Sequence, residues 1–384
     1  MLDIQLLKEE FSHRYGDGEM ECYFSPGRVN LIGEHIDYNG GLVLPATISL
    51  GISAVIRRRE DDCIRIYAKA YEQEVIIRVS ELYPSEKEIN SGHWSSYVVA
   101  TLRVLLDNGV AISGADILIG SDLPLGSGLS SSAALECLIA YLFNEHYYDH
   151  ERISLALDAQ KAEREYVGVQ CGIMDQFAVA NGKKNNAVLL NCATLEFEYI
   201  PADFKDYQLV IINSNKSRAL AESKYNERRK ECEDAFAILH TIDPAQDLCH
   251  MHEISLASLE DDILYKRAKH AVLENKRVEH AVYYLKNGEI EAFGQLLTAS
   301  HLSLDADYEV SGKELNTIVH FSTHFDGCIG ARMTGAGFGG CCIALVEKDK
   351  VNRFVVYVGK KYTEKTGLTA SFYFTDIVDG VSKQ

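Results

Sequence analysis

The chain has 384 residues, of which 47% are apolar and 24% are charged, as in an ordinary soluble globular protein. Its formal net charge at pH 7 is -18. This excess of negative charge disfavours nucleic acids and anionic membranes as partners. A phosphate-bearing ligand would have to be held by local donors such as backbone amides, a helix N-terminus or a metal ion. The length predicts two domains, which we place at 1–200 and 201–384.

The ten cysteines form no C-x-x-C pair, and most lie in apolar runs, where a thiol behaves as a small hydrophobic group. The first residues have an acidic amphipathic pattern without the basic and apolar regions of a signal peptide. No run approaches the ~18 consecutive apolar residues of a membrane span. We therefore expect a reduced, cytoplasmic protein, and we expect it to be a monomer.

The first half of the chain contains both helical and extended patterns. Helical spacing occurs at 2–11, 94–106, 131–146 and 152–167, and strand patterns occur at 51–58, 63–69, 74–79 and 115–120. In the second half we predict strands at 209–213, 341–346 and 369–374, and helices at 225–239, within 255–300, at 311–323 and at 351–362. Strands and helices in two such groups favour the α+β class over a doubly wound sheet.

A loop rich in glycine and serine, PLGSGLSSSAA at 124–134, separates a predicted strand from a predicted helix. Gly126 and Gly128 allow the backbone to approach a ligand closely. The serines offer hydroxyl and N–H donors at the first turn of the helix, where the dipole favours anions. The pattern indicates a phosphate-binding loop, although it is not a Walker A motif. The alternative is a serine cap on a surface turn.

A second glycine segment, MTGAGFGG at 333–340, matches G-x-G-x-x-G. The dinucleotide-binding interpretation requires a following helix, but the next residues, CCIALV, predict a strand. We therefore reject that interpretation. The segment is either a turn whose backbone approaches a bulky ligand or a tight entry into the strand.

The segment GRVNLIGEHIDYNGG at 27–41 concentrates polar groups between glycines. Glu34, His35 and Asp37, with Arg28 upstream, offer the many donors and acceptors that a polyol ligand needs. A zinc site is the rival interpretation, but no second His or Cys stands at helical spacing. A solvated loop that uses its Asn and Asp residues in turns is the third.

Asp175 lies in the mostly apolar segment GVQCGIMDQF at 168–177. A buried carboxylate is unfavourable unless it is paired or functional, so Asp175 is a candidate catalytic residue. Glu163, on the preceding helix, is by itself most simply part of a solvated helix face. The charged segment SKYNERR at 223–229 is likewise typical of surface i,i+4 pairs.

Together these segments resemble the galactokinase branch of the GHMP small-molecule kinases. GRVNLIGEHIDYN resembles the galactokinase signature, PLGSGLSSSAALE the phosphate loop of the superfamily, and MTGAGFGGC its third motif; GIMDQF and SKYNERR also match. The resemblance extends from about residue 20 to 375 in the expected order. One departure is Ile36, where the family usually has Thr.

The resemblance implies two α+β domains with the active site between them. It implies transfer of the γ-phosphoryl group of ATP to the anomeric hydroxyl of α-D-galactose. Asp175 would be the general base and Arg28 would hold it ionised. Ser132 and Glu163 would bind Mg²⁺, and Trp94 would lie against adenine, unless it is only a core residue at a helix start. The remaining contacts implied are Glu34, His35, Asp37, Gly172 and Tyr225 to the sugar, and Gly126, Ser127, Gly128, Leu129, Ser130, Ser131 and Ser132 to the ATP phosphates.

Two alternatives share these motifs. One is a related kinase, for example for N-acetylgalactosamine, which would differ around the sugar loop. The other is a catalytically inactive sugar-sensing regulator, whose mark would be loss of residues from the Gly/Ser loop. Gly126 to Ala134 and Asp175 are all present, which favours an enzyme. We expect galactose and ATP as partners, and neither nucleic acid nor membrane.

Overall fold

The structure is a computed structural model that describes residues 3–82, 93–124, 126–216 and 221–384. Its helices are α1 (Ile4–Tyr15), α2 (Ser95–Asp107), α3 (Ser131–Tyr148), α4 (Arg152–Lys161), α5 (Met174–Asn181), α6 (Ala221–Leu239), α7 (Asp262–Asn287), α8 (Ile290–Ala306), α9 (Gly312–Thr323) and α10 (Val351–Thr366). Its strands are β1 (Glu21–Asn30), β2 (Leu42–Val43), β3 (Pro45–Arg58), β4 (Cys63–Ala68), β5 (Gln73–Arg78), β6 (Ala115–Ser121), β7 (Asn186–Asn191), β8 (Phe197–Pro201), β9 (Tyr207–Asn213), β10 (Cys328–Thr334), β11 (Cys341–Glu347), β12 (Ser371–Phe374) and β13 (Ser382–Lys383).

Three sheets organise these strands. The largest has the order β13-β1-β3-β6-β4-β5, the second β10-β11-β9-β12 and the third β2-β7-β8. Strands β4 and β6 are parallel, and the other pairings are antiparallel. Sheets of mixed direction accompanied by helices confirm the α+β class.

The predicted elements are confirmed with changes at their ends, the largest at β3, which begins at Pro45 and not at residue 51. Helix α5 and the strands β2, β7, β8, β10 and β13 were not predicted. The exclusion of a dinucleotide-binding fold is confirmed, because the glycine segment at 335–340 joins β10 to the antiparallel β11 and no helix follows it. The helix predicted at 152–167 is α-helical only to Lys161. It continues as a π-helical turn over Ala162–Val167.

Local sequence accounts for the start of helix α7. Helix α7 begins after Asp261, whose carboxylate accepts hydrogen bonds from the backbone N–H groups of Ile263 and Leu264, as an N-cap residue does. Helix α3 is buried along 133–142, so it forms the centre of the first half and packs against β1, β3 and α2.

Within the part of the chain that the structure describes, no helix combines the length and the apolar character needed to cross a membrane.

The end of the chain returns to the first half. Strand β13 pairs with β1, and the backbone N–H of Val381 donates to the carbonyl of Val179 at 2.9 Å, close to the end of α5. The main core also includes buried residues from both halves. The domain boundary at residue 200 stays a prediction; with that division, the last residues pack as part of the first unit.

Candidate active site

A cavity of about 440 Å³ brings the predicted segments together. Its walls come from β1 and the loop after it, the Gly/Ser loop, the π-helical turn, α5, α6 and the β10–β11 loop. The lining residues are Arg28, Glu34, His35, Asp37, Tyr97, Gly126, Gly128, Ser130, Ser131, Ser132, Glu163, Val169, Cys171, Gly172, Met174, Asp175, Tyr225, Asn226, Gly335 and Ala336. Of the predicted site residues, only Ser127, Leu129 and Trp94 are outside this set.

Asp175 is fixed by two partners. Arg28 donates from Nε to Oδ1 at 2.9 Å and from the terminal Nη2 to Oδ2 at 2.8 Å. Ser130 donates its hydroxyl to Oδ2 at 2.6 Å. Arg28 is buried, whereas the Asp175 side chain is 31% exposed toward the cavity. A carboxylate oriented by a bidentate arginine and still open to the cavity has the geometry of a positioned base.

The Gly/Ser loop is tied to the same arginine. Arg28 donates from Nη1 to the carbonyl of Gly128 at 2.8 Å, and its backbone N–H donates to the carbonyl of Leu129 at 3.2 Å. Ser130 has a positive φ of 63°, which is unusual for a residue with a side chain and is typical of functional loops. Ser131 and Ser132 then open the long helix α3 with their N–H groups at its positive end.

Ser127 and Leu129 differ from their neighbours. Their side chains are buried, and they are not among the residues that line the cavity. Any contact they make with a ligand would therefore have to come from the backbone.

Asp37 and Gly172 are in close contact across the cavity. A Cβ atom added to Gly172 would lie 1.7 Å from Oδ2 of Asp37, so no larger residue fits there without displacing the carboxylate. Burial, followed by the nearby negative charges of Asp175 and Glu34, raises the pKa of Asp37 to about 7. Its carboxylate would therefore gain from ligand hydroxyls that donate to it.

Glu34 reaches the second glycine segment. Its Oε1 accepts the backbone N–H of Gly335 at 2.7 Å and lies 3.7 Å from the Arg332 guanidinium. Burial raises the pKa of Glu34, although Arg332 and Arg28 act in the opposite direction. This contact joins the loop after β1 to the loop after β10.

His35 lines the cavity with its ring, but both ring nitrogens have protein partners. Its Nε2–H donates to the carbonyl of Ala336 at 3.1 Å, and Nδ1 accepts the Tyr38 hydroxyl at 2.8 Å. Burial, with a smaller effect of His270, lowers the pKa of His35 to about 3, so the ring is neutral. This arrangement leaves no nitrogen for zinc, which removes the metal interpretation of the segment 27–41.

Glu163 is buried, whereas the adjacent Arg164 and Glu165 are exposed. The interpretation of Glu163 as part of a solvated helix face is therefore wrong. The π-helical turn widens the helix here, and α5 supplies Gln176, whose Nε2 donates to Glu163 at 2.5 Å. Burial and the charge of Asp175 raise the pKa of Glu163 to about 7, while hydrogen bonds from Cys171 and Ser132 lower it.

This environment fits a divalent cation. Glu163 is buried with a raised pKa, and the described residues form no ion pair with it. The Ser132 hydroxyl beside it offers a second oxygen ligand. Across the described ranges, no group of three or more His, Cys, Asp or Glu residues is arranged to hold a metal. Mg²⁺ suits such a site, because it is usually bound by few protein oxygens and its remaining coordination positions are taken by water and phosphate.

Tyr225 brings α6 to the cavity. Its ring centroid is 5.6 Å from that of His35 and 5.3 Å from that of Tyr38. Helix α6 also carries two i,i+4 pairs of the kind predicted, Arg229–Glu233 and Lys230–Asp234. The surface interpretation of this helix is thus confirmed for these pairs but not for Tyr225.

Trp94 lies in a neighbouring cavity of about 340 Å³. Its ring is parallel to that of Tyr71, with centroids 6.0 Å apart, and its Nε1 donates to Gln73 at 3.2 Å. The two cavities share Tyr97, Ser131 and Ser132. An aromatic pocket therefore adjoins the N-terminus of α3.

Sequence reasoning missed Gln176, which is fully buried between Glu163 and the fully buried Glu136. The argument that selected Asp175 applies equally to the next residue, because both are polar groups in an apolar segment. Sequence reasoning also missed the role of Ser130 as a partner of Asp175, since the hydroxyl groups of the Gly/Ser loop were interpreted only as phosphate ligands.

Three segments of the chain match models of known protein families. Residues 9–58 match the galactokinase galactose-binding signature, residues 96–183 the GHMP kinase N-terminal domain, and residues 281–364 the GHMP kinase C-terminal domain. A galactokinase of Exiguobacterium sibiricum is 47% identical over 383 residues, 98% of this chain and 97% of that protein. The chain belongs to the galactokinase family.

Solved structures agree with membership of the galactokinase family. The crystal structure of Lactococcus lactis galactokinase complexed with galactose superposes with a TM-score of 0.94 at 42% identity, and covers 99% of this chain and 100% of that one. The mevalonate kinase of Methanococcus jannaschii, at 20% identity and a TM-score of 0.68, covers 95% of this chain and shares the fold alone.

Proposed function

We propose that the protein is a galactokinase that converts α-D-galactose and ATP to galactose 1-phosphate and ADP. The observation that carries this proposal is the cavity in which Asp175, held by Arg28 and Ser130, lies between the Asp37 carboxylate and the N-terminus of α3. A base, a polyol-binding acceptor and an anion-binding helix end are the three elements that phosphorylation of a sugar requires.

In the proposed reaction the anomeric oxygen attacks the γ-phosphorus in line. The new bond is O1–P, the bond broken joins the γ-phosphorus to the bridging oxygen, and ADP leaves. Asp175 takes the proton of the 1-hydroxyl, and Arg28 keeps the carboxylate oriented and offers positive charge near the transferring group. The N–H groups at the start of α3 and the backbone at Gly126 and Gly128 hold the phosphates.

The sugar side would be formed by Glu34, Asp37, Gly172 and Tyr225, with His35 acting through its ring and through the loop that it stabilises. The pocket beside Trp94 suits the adenine. Because a single chain completes the cavity, we propose a monomer. The ten cysteines form no disulfide, which is compatible with the reducing cytoplasm.

Ser132 and Glu163 would hold Mg²⁺. When bound there, the cation would neutralise charge on the phosphates of ATP. The proposal is supported by the burial of Glu163, to which no described residue supplies a cationic partner.

The function is tested by an ADP-release assay with Mg²⁺ and ATP over galactose, glucose and N-acetylgalactosamine. We expect turnover with galactose, and a phosphorus NMR signal of an α-glycosyl phosphate. Preference for N-acetylgalactosamine would identify the related kinase. Binding of galactose without ADP release would identify the inactive sensor.

Replacing Glu163 with Gln is expected to raise the Mg²⁺ concentration that gives half-maximal rate, by about tenfold, and to leave galactose affinity nearly unchanged, since a neutral amide is a poor ligand for a hard cation. The matched control is Glu165→Gln, two residues away and exposed. Direct titration with Mn²⁺, followed by electron paramagnetic resonance, measures cation binding without turnover. Identical titrations for both variants would contradict the assignment.

Galactose binding is expected to weaken by about tenfold from about pH 8 to about pH 6. The pKa of Asp37 is raised to about 7, so the ionised fraction falls as the pH drops through that value and the acceptor for sugar hydroxyls is lost. Calorimetric titration of galactose at the two pH values checks this. In Asp37→Asn the residual affinity should not depend on pH over this interval; a persisting dependence would assign it to another group.

A further inference from the structure

The loop after β1 has a backbone that needs support. Gly33, His35 and Gly40 all have positive φ values, of 98°, 62° and 77°, and a positive φ is uncommon for a residue other than glycine, although His adopts it more often than most. The loop also places the Glu34 and Asp37 side chains in the cavity. Whatever holds this backbone therefore determines where the two carboxylates stand.

Glu274 on α7 holds the first turn of the loop. Its Oε1 accepts the backbone N–H groups of Gly33 at 3.0 Å and Glu34 at 3.3 Å, together with the Ser300 hydroxyl at 2.6 Å. Its Oε2 accepts Nε of Arg277 at 2.6 Å. Two successive N–H groups that point to one acceptor form a concave anion-binding turn, here filled by a side chain of the protein itself.

The carboxylate of Glu274 is fully buried and ionised. Burial alone would raise its pKa, but the charge of Arg277, with smaller effects of His270 and Arg332, lowers the pKa to about 2. A buried charge with this many partners stabilises one particular backbone geometry of the loop. Removing the carboxylate would leave the N–H groups of the loop without their acceptor.

Two further residues of α7 extend this contact. His270, one turn before Glu274, donates Nε2–H to the carbonyl of Glu34 at 3.0 Å, so both backbone groups of Glu34 are bound by α7. Asn275 accepts the N–H of Leu42 at 2.8 Å, beyond the other end of the loop. Helix α7 contributes no residue to the lining of the main cavity, as far as the described residues show.

We infer that Glu274, His270 and Asn275 are positioning residues for sugar recognition: they impose on the loop after β1 the conformation in which Glu34 and Asp37 face the sugar. This inference rests on the proposed galactokinase function. It places a determinant of sugar affinity on a helix of the second half that does not touch the sugar. The effect should appear in galactose binding and leave ATP binding unchanged.

The test compares Glu274→Gln, Glu274→Met and His270→Phe with the wild type in steady-state kinetics. We expect the KM for galactose to rise about threefold in Glu274→Gln, which keeps one carbonyl acceptor, and at least tenfold in Glu274→Met. The KM for ATP should stay within about twofold. The control is Glu279→Gln, on the exposed side of the same helix, which should match the wild type.

His270→Phe keeps the inference testable if Glu274→Met does not fold. Phe preserves the ring that packs 4.5 Å from the Tyr308 ring, and it removes both the donor to Glu34 and the contact of Nδ1 with the Ser303 hydroxyl. The KM for galactose should therefore rise by about threefold or more. An unchanged KM for galactose in Glu274→Gln and His270→Phe overturns the inference. So does an equal rise of both KM values, which would indicate a merely structural role. A wild type that does not phosphorylate galactose would instead refute the proposed function.

Discussion

Asp175→Asn is expected to lower kcat by about 10²–10⁴-fold, the usual contribution of a positioned base. Asn has nearly the same shape and its carbonyl oxygen can still accept from Nε of Arg28, which donates to Oδ1 of Asp175 at 2.9 Å. The amide cannot take the proton of the sugar hydroxyl, so the loss should fall on the chemical step. Galactose affinity should change little.

Single-turnover rates and calorimetric galactose binding separate these two quantities for Asp175→Asn. Asp349→Asn, an exposed carboxylate outside the cavity, controls for the loss of one negative charge. If Asp175→Asn keeps more than about a third of wild-type turnover, another group must accept the proton.

Asp37→Ala is expected to reduce kcat/KM for galactose by about 10- to 100-fold and to affect glucose far less. The two sugars differ only at the 4-hydroxyl, and a carboxylate placed against vicinal 3- and 4-hydroxyls satisfies the axial arrangement of galactose. With glucose one hydrogen bond is misdirected, and a partly unsatisfied charged acceptor costs about 1–3 kcal/mol or more. The measurement is kcat/KM for both sugars in the wild type and in the variant.

Gly172→Ala provides an independent approach to the same question. Its new methyl group would overlap Oδ2 of Asp37 and should displace the carboxylate without removing it, so it should lower the preference for galactose in the same direction. Equal proportional losses for galactose and glucose in Asp37→Ala would show that Asp37 supports the shape of the loop and does not distinguish the 4-hydroxyl.

Local patterns in the sequence predicted most of the helices and the segments that meet in the cavity. Asp175 was found because a lone carboxylate in an apolar segment is unfavourable unless it is paired or functional. The helix α3 was found because its apolar run follows a serine-rich start. Both patterns involve residues that are neighbours in the sequence, so they can be recognised without knowledge of the fold.

What the sequence did not show depends on contacts between distant segments. Strands β2 and β8 pair with β7 over short stretches, and partners, not composition, determine such strands. Glu163 appeared to belong to a solvated face because regular helical periodicity does not anticipate a π-helical turn. Glu274 gave no signal at all, since its role arises from N–H groups about 240 residues away in the chain.

The raised pKa values of Asp37 and Glu163 also affect the stability of the fold. Both lie near 7 in the folded chain, above the ordinary values of 3.8 and 4.5, so the folded protein binds these protons more tightly than the unfolded chain does. Their contribution to the free energy of unfolding is complete below about pH 4 and is lost as the pH rises through about 7. In slightly alkaline medium the ligand-free site therefore destabilises the protein that carries it. Directed evolution for heat resistance alone would favour neutral residues at these two positions and would yield robust but inactive variants, so such a screen must also select for turnover.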